Sequence, residues 1–252
     1  MEDPNAKVLI ENQGDVLSVI LNTPAKGNCL APDVVDQLID LFSTAQNVRM
    51  ATIRGNGKNF CTGFDLSDIE TLSDGDLLWR LVRIELLLQT IHKSPIPIVA
   101  FAQGQVVGAG ADLFAACWRR VAVPEARFRM PGWNFELALG TRRLAQIVGT
   151  DKAQDILIDT RTFSATEAVN IGFATDTADI KDWATLETAL AQRARALPAY
   201  AVGEMLGLSR ADTDDLDLAA VVRTAARPGL KQRIFDYRET ALRAAREKRR
   251  AS

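Results

Sequence analysis

Two short stretches of this chain combine residue types that could do chemistry: "CTGFD" at 61–65 and "VVGAGAD" at 106–112. Each follows an apolar run and turns a nearly bare backbone just ahead of a helix-like segment. Glycine and alanine let a ligand oxygen approach main-chain N–H groups with no side chain in the way. A pair of such donors is what acyl chemistry needs. When an acyl carbonyl loses its α-proton or gains a nucleophile, its oxygen gathers negative charge that preorganised donors stabilise. Asp112 follows Gly110 by two residues and falls in the first turn of the expected helix. The helix N-terminus favours its ionised form, whereas desolvation opposes it. A carboxyl group there can move a proton at an α or β carbon. Taken singly, each stretch also reads as an ordinary strand-to-helix turn, so the rest of the chain has to decide.

Other chemistries find less support. There is no G-x-x-x-x-G-K-[ST] phosphate loop and no G-x-S-x-G nucleophile elbow. "GQVVGAGADL" does not follow the G-x-G-x-x-G dinucleotide pattern and lies mid-chain. The single histidine, His92, ends an apolar helical stretch and reads as a packing or surface residue. One histidine and scattered carboxylates offer few zinc ligands. Cys29, Cys61 and Cys117 are widely spaced, form no C-x-x-C pair, and read as buried thiols of a reducing compartment. Cys61 beside the first turn lacks a base evident in the sequence, which argues against a nucleophile.

The elements that must position these turns follow from periodicity. "KVLIE" and "VLSVIL" read as paired strands across "NQGD". "APDVVDQLIDLFSTAQ" spaces its apolar residues as a helix with Pro32 near its start. "MATIRG" and "PIPIVAFAQG" are nearly continuous apolar runs, the pattern of strands buried on both faces. Between them lies the broad apolar helical face of "DLLWRLVRIELLLQTIHKS". Strand and helix in alternation imply an α/β core with right-handed crossovers. After about residue 140 helices dominate, including "GTRRLAQIVG", "DKAQDILIDT" and a segment opened by a Ser164/Glu167 capping box and stopped at Gly172. Two longer amphipathic helices, "DWATLETALAQRARAL" and "LKQRIFDYRETALRAAREKRR", complete the chain. The segment from Lys231 to Arg250 carries eight basic residues against three acidic and reads as a solvated helix, with a phosphate- or partner-facing helix as the alternative.

Composition bounds the partners. The chain has 252 residues, 47% of them hydrophobic, with 30 basic and 32 acidic residues and a net charge of −2. This gives no general pull toward nucleic acid or an anionic membrane. No apolar run approaches the roughly 20 residues of a membrane span, and "MEDPNAKVLI" lacks a signal-peptide pattern. The expectation is a soluble cytoplasmic protein.

In these stretches the chain resembles the crotonase superfamily, the enoyl-CoA hydratase/isomerase family. "LNTPAKGNCLAPDVVDQL" looks like the family's early CoA loop and helix, with Lys26 displaced by one position. "NFCTGFDL" and "PIPIVAFAQGQVVGAGADL" look like its two oxyanion segments, which assigns the donors to the N–H groups of Phe64 and Ala109. "RFRMPGWNFELALGTRRLAQIVG" and "SATEAVNIGFATD" continue the match in order. The resemblance implies a ββα spiral core over 1–195 and a C-terminal helical trimerisation region over 196–252. It also implies a CoA thioester as substrate, an enolate intermediate, no metal or other cofactor, and a homotrimer or dimer of trimers. Substrate or CoA contacts are expected at Lys26, Gly63, Asp65, Gly108, Gly110, Gly132 and Trp133.

The departures shape the reaction. Family hydratases use two glutamates; the first falls on Asp112 and the second on Gly132, where the family's usual isomerase also carries its working glutamate. Because Gly132 has no side chain to offer, both assignments are weakened. Asp112 is therefore the leading acid/base. Glu136, four residues beyond Gly132, is the nearest replacement carboxylate, although a loop glutamate in solvent is the plainer reading. Hydration or dehydration and double-bond isomerisation are the expected reactions, with decarboxylation and hydrolysis less so. A catalytically impaired CoA-binding or scaffold protein and a C–C bond hydrolase of a non-CoA substrate are the alternatives.

Overall fold

The computed structural model describes residues 5–45 and 47–251, the stretch from 244 on by its backbone alone. In chain order the elements are β1 (Val8–Gln13), β2 (Val16–Leu21), α1 (Pro32–Thr44), β3 (Met50–Gly55), α2 (Asp74–His92), β4 (Ile98–Ala102), β5 (Gln105–Val107) and α3 (Ala109–Ala116). They continue with β6 (Arg119–Ala122), β7 (Arg127–Arg129), α4 (Thr141–Val148), α5 (Thr150–Asp159), β8 (Phe163–Ser164), α6 (Ala165–Asn170) and β9 (Asp176–Thr177). Four further helices follow: α7 (Trp183–Arg195), α8 (Ala199–Leu208), α9 (Asp214–Ala225) and α10 (Leu230–Ala251).

The main sheet runs β1-β2-β3-β4-β6-β9. Only the β1–β2 pair is antiparallel, and its turn is made at Gly14, which takes the left-handed backbone a tight reversal requires. The remaining pairs are parallel, with Val16 opposite Met50 and Ala51 opposite Ile98. Parallel strands need long crossovers, and the helices in those crossovers cover the sheet. This explains the nearly continuous apolar runs of β3 and β4: every residue of β4 is buried, and all of β3 but Arg54. A smaller sheet, β5-β7-β8, stands apart from the first.

Helix α3 is buried along its whole length. A side chain at Gly110 would collide with the Cys61 main chain, so the small residues of this helix are a condition of its packing. Phe114 of this helix joins Phe128, Phe163 and Phe173 in a cluster whose packed rings lie 5.2–5.7 Å apart. Full burial of each ring contributes roughly 1.5–3 kcal/mol, and this cluster anchors α3 in the core.

Helix α2 begins at a capping box: Ser73 Oγ accepts from the Asp76 N–H at 3.1 Å and the Ser73 N–H donates to Asp76 at 2.9 Å. The box expected at Ser164 is only half made. Ser164 Oγ accepts from the Glu167 N–H at 3.2 Å, but the Glu167 carboxylate turns to Arg161 instead. Asp74, in the first turn of α2, accepts from the N–H groups of Gly229, Leu230 and Lys231 at 2.8–3.2 Å. One carboxylate thus meets the exposed donors at the N-terminus of α10 and fixes where that helix starts. Among the described residues no helix is long and apolar enough to cross a membrane.

Helices α8 and α9 are additions to the sequence reading. Glycines at 203 and 207 blur the periodicity of α8, and Gly203 is there because the helix lies close against Pro95. Arg246, Lys248, Arg249 and Arg250 of the basic tail lie outside the residues whose side chains are described.

Candidate active site

The two glycine-bearing turns meet. Cys61 and Val106 form a parallel bridge, and the Val107 N–H donates to the Cys61 carbonyl at 3.0 Å. Gly63 holds φ at +91°, and a Cβ there would stand 2.6 Å from the Val107 carbonyl oxygen and 3.2 Å from the Ala109 nitrogen. Only glycine lets the segments approach this closely. Gly108, at φ +54°, caps α3 with no side chain over its first N–H groups. The N–H groups of Phe64 and Ala109 donate to no other group among the described residues.

Both turns border one cavity of about 310 Å³. Phe64, Gly108, Ala109 and Asp112 line one side of it, and Gly132 and Trp133 line another. Helix α10 covers it with Ile234, Tyr237, Arg238, Ala241 and Leu242. Trp133 has its indole N–H occupied by Thr141 Oγ1 at 3.1 Å, which leaves the ring as a wall. The Phe64 ring also serves as wall.

Asp112 is the one carboxylate among the lining residues, and it is only 3% exposed. Its Oδ1 is buried with no hydrogen-bond partner. Burial pushes its carboxyl well above the ordinary value; Arg143 opposes that rise and Glu85 adds to it. Gly140, at φ +65°, opens α4 directly against this carboxyl, and any side chain at 140 would overlap Oδ1. The charge of Asp112 is therefore set by buried neighbours more than by water.

Glu136 goes elsewhere. It takes a left-handed backbone at φ +61° after the 3₁₀ turn Gly132–Phe135. Its carboxylate pairs with Arg227 at 2.7 Å and Arg233 at 3.9 Å, with 45% of its side chain exposed. It does not line the cavity and instead ties the loop to the α9–α10 connection. The expectation of Glu136 as a second catalytic carboxylate finds no support in this position. The reason is the left-handed turn, which aims its side chain toward the two arginines.

Lys26 and Asp65 border a neighbouring cleft of about 590 Å³ and pair with each other at 3.7 Å. Burial works against the Asp65 charge, but the Ser67 N–H and hydroxyl and Lys26 outweigh it and hold the carboxyl below its ordinary value. Arg80 and Lys7 line the same cleft. Gly63 and Gly110 shape the backbone behind the cavity without lining it. Cys61 is fully buried, and burial pushes its thiol up to about 12, which argues against a nucleophile. Burial carries His92 down to about 4, helped by Arg143 and Arg210, so it is a neutral packed side chain.

Sequence reasoning missed two groups of residues. The α10 residues at the cavity were legible only as an amphipathic face, with Ile234, Tyr237 and Ala241 at i, i+3 and i+7. Glu85 and Arg143 carried no signal, because charged residues on helices are usually solvated.

Comparisons with known proteins identify the family and the fold. The model of the enoyl-CoA hydratase/isomerase family matches residues 11–201. A Bacillus subtilis protein described as a "probable enoyl-CoA hydratase" is 31% identical over 204 residues, covering 77% of this chain and 75% of that protein. A peroxisomal fatty acid beta-oxidation multifunctional protein of Arabidopsis thaliana is 32% identical over 175 residues; the match takes in 65% of this chain but only 23% of that protein's length. A crystal structure from Bordetella parapertussis, described as a candidate enoyl-CoA hydratase/isomerase, superposes with a TM-score of 0.90 at 46% identity, covering 92% of this chain and 98% of that one. With its two converging backbone turns and the matching fold, the chain belongs to the enoyl-CoA hydratase/isomerase family of the crotonase superfamily.

Proposed function

We propose that the protein binds an acyl-CoA thioester with its carbonyl oxygen against the N–H groups of Phe64 and Ala109, and that Asp112 moves a proton at the α-carbon of the resulting enolate. The observation that carries this reading is one buried carboxyl without a hydrogen-bond partner in the same cavity as two main-chain N–H groups without acceptors. Loss of the α-proton places negative charge on the thioester oxygen, where fixed donors in a desolvated site act most strongly. A raised carboxyl pKa makes the ionised form a stronger base toward a carbon acid.

Gly132 offers no side chain to the cavity, and Asp112 is the one carboxylate among the residues that line it. Syn addition of water is easiest with two positioned groups, whereas a 1,3-proton shift can use one group twice. Double-bond isomerisation through Asp112 is therefore the favoured reaction, ahead of two-carboxylate hydration. The apolar walls suit a small acyl group. Lys26 and Arg80 in the neighbouring cleft supply cations for the CoA phosphates, Lys26 exchanging Asp65 for phosphate. No group of metal-binding side chains occurs among the described residues, and the proposed chemistry uses none. Exposed Tyr200 and Leu208 on α8 support assembly as a homotrimer or dimer of trimers, which light scattering would test.

Proton NMR of a panel of acyl-CoA thioesters in D₂O tests the reading. Deuterium enters the α-carbon with native protein and not with Asp112→Asn, while both bind the thioester. CoA affinity without exchange for any thioester would instead mark a crotonase-fold binding protein. Absence of CoA affinity would favour a substrate without CoA.

A further inference from the structure

Behind the cavity, three ionisable groups sit in the protein interior with one positive charge for two carboxyls. Arg143, in the first turn of α4, is 3% exposed, and Glu85, in the middle of α2, is 0% exposed. Arg143 Nη2 donates to Glu85 Oε1 at 3.4 Å, and the Gln89 amide donates to the same oxygen at 3.1 Å. Asp112 Oδ1 receives nothing, and Arg143 Nη1 and Glu85 Oε2 are likewise buried without partners. A buried ion survives only where charge and hydrogen bonds compensate it. Asp112 lies against the start of α4 at Gly140 and feels the charges of both Arg143 and Glu85, and two carboxylates sharing one guanidinium cannot both be compensated.

We propose that Glu85 and Arg143 are positioning residues for Asp112: Glu85 holds the guanidinium charge, and the carboxyl facing the cavity keeps its proton in the resting protein. This rests on Asp112 as the proton-transfer group of the preceding section. The asymmetry comes from geometry, since Glu85 has two donors and Asp112 has none. Of the charges around this group, Arg238 of α10, which lines the same cavity, pairs with Glu70 at 3.2 Å, and Arg210 donates to the carbonyls of His92 and Ser94. On α9, Asp217 binds Arg142 of α4 at 2.9 Å and the Thr213 hydroxyl at 2.7 Å, and Asp214 binds Lys93 at 2.9 Å. His92, at the end of α2, is held neutral by burial with help from Arg143 and Arg210. Burial raises the Glu85 carboxyl too, but Arg143 and the Gln89 amide oppose that rise, and Asp217 adds to it by less than Arg143 takes away. The arrangement gives the enzyme a base that becomes available only as pH rises, and a strong one when it does.

The sign is testable. Exchange that needs the Asp112 carboxylate rises with pH through the pKa of that group. Glu85→Gln removes the competitor, so Arg143 stabilises the Asp112 carboxylate and the rising limb moves to lower pH by about one unit or more. Glu85→Asp returns the limb toward its native place. A limb in Glu85→Gln that coincides with the native one would overturn the proposal. An infrared measurement keeps it testable without turnover and without the Glu85 variant. The native spectrum minus that of Asp112→Asn at neutral pH should contain the carbonyl stretch of a protonated carboxylic acid. Its absence would overturn the proposal even in an active enzyme. Its presence in a protein that exchanges no thioester would uphold this assignment while sinking the proposed reaction.

Discussion

The two walls of the cavity use carboxylates in opposite ways. On the α3 wall, Asp112 is enclosed, lacks a hydrogen-bond partner, and owes its elevated pKa first to burial. On the wall that follows β7, the backbone offers Gly132 at the cavity, while Glu136 turns outward to two arginines. One carboxyl is destabilised as an anion inside the site, and the other is compensated beside solvent. The contrast shows that proximity in sequence to a predicted site says little about chemistry; burial and partners decide it.

The largest break in this comparison is Asp112→Asn, which should lower α-proton exchange by about 10²–10⁴-fold while leaving CoA affinity within a few-fold, read by NMR and calorimetry. The same variant carries a stability signature. The native carboxyl holds its proton above the pH at which the unfolded chain releases it, so the native state binds more protons in that window. Stability therefore falls as pH rises from the ordinary carboxylate value toward the raised one. Asp112→Asn should abolish that slope and be more stable than native protein at neutral pH, measured by urea unfolding across pH.

Gly132→Glu makes the walls alike. The nearest atom to a Cβ at 132 is the Leu137 carbonyl oxygen at 3.1 Å, a close fit that needs this backbone to give by a few tenths of an ångström. Hydration of a short enoyl-CoA should rise by about tenfold or more, followed by loss of the enoyl absorbance. Unchanged hydration would mean that the missing side chain is not what limits that reaction.

Gly140→Ala attacks the support of the α3 wall. Its Cβ would overlap Asp112 at a positive φ, so the fold should lose roughly 1–3 kcal/mol and exchange should fall with it, checked by denaturant unfolding and NMR. Glu136→Gln should do least. Its ion pairs are partly exposed, where such contacts are worth about 0–1 kcal/mol, and exchange should stay within about threefold of native because the side chain lies outside the cavity.

Much of this molecule was legible in its residues. The continuous apolar runs of β3 and β4 announced buried parallel strands, and the glycines at 63 and 108 announced backbone turns stripped of side chains. Sequence order also placed Asp112 at the start of α3. These features are local: periodicity and steric freedom act over a few residues and leave a mark in the chain. The half-made box at Ser164 marks where local reasoning ends, since Arg161 captured the partner that the pattern assigned to the cap. Tertiary structure alone decided the rest. It laid α10 across the cavity through Asp74, turned Glu136 away by one left-handed residue, and buried Glu85 and Arg143 behind Asp112. The chain by itself determined which groups could do chemistry; desolvation and charge pairing, which exist only once distant segments meet, decided which of them can hold or give up a proton.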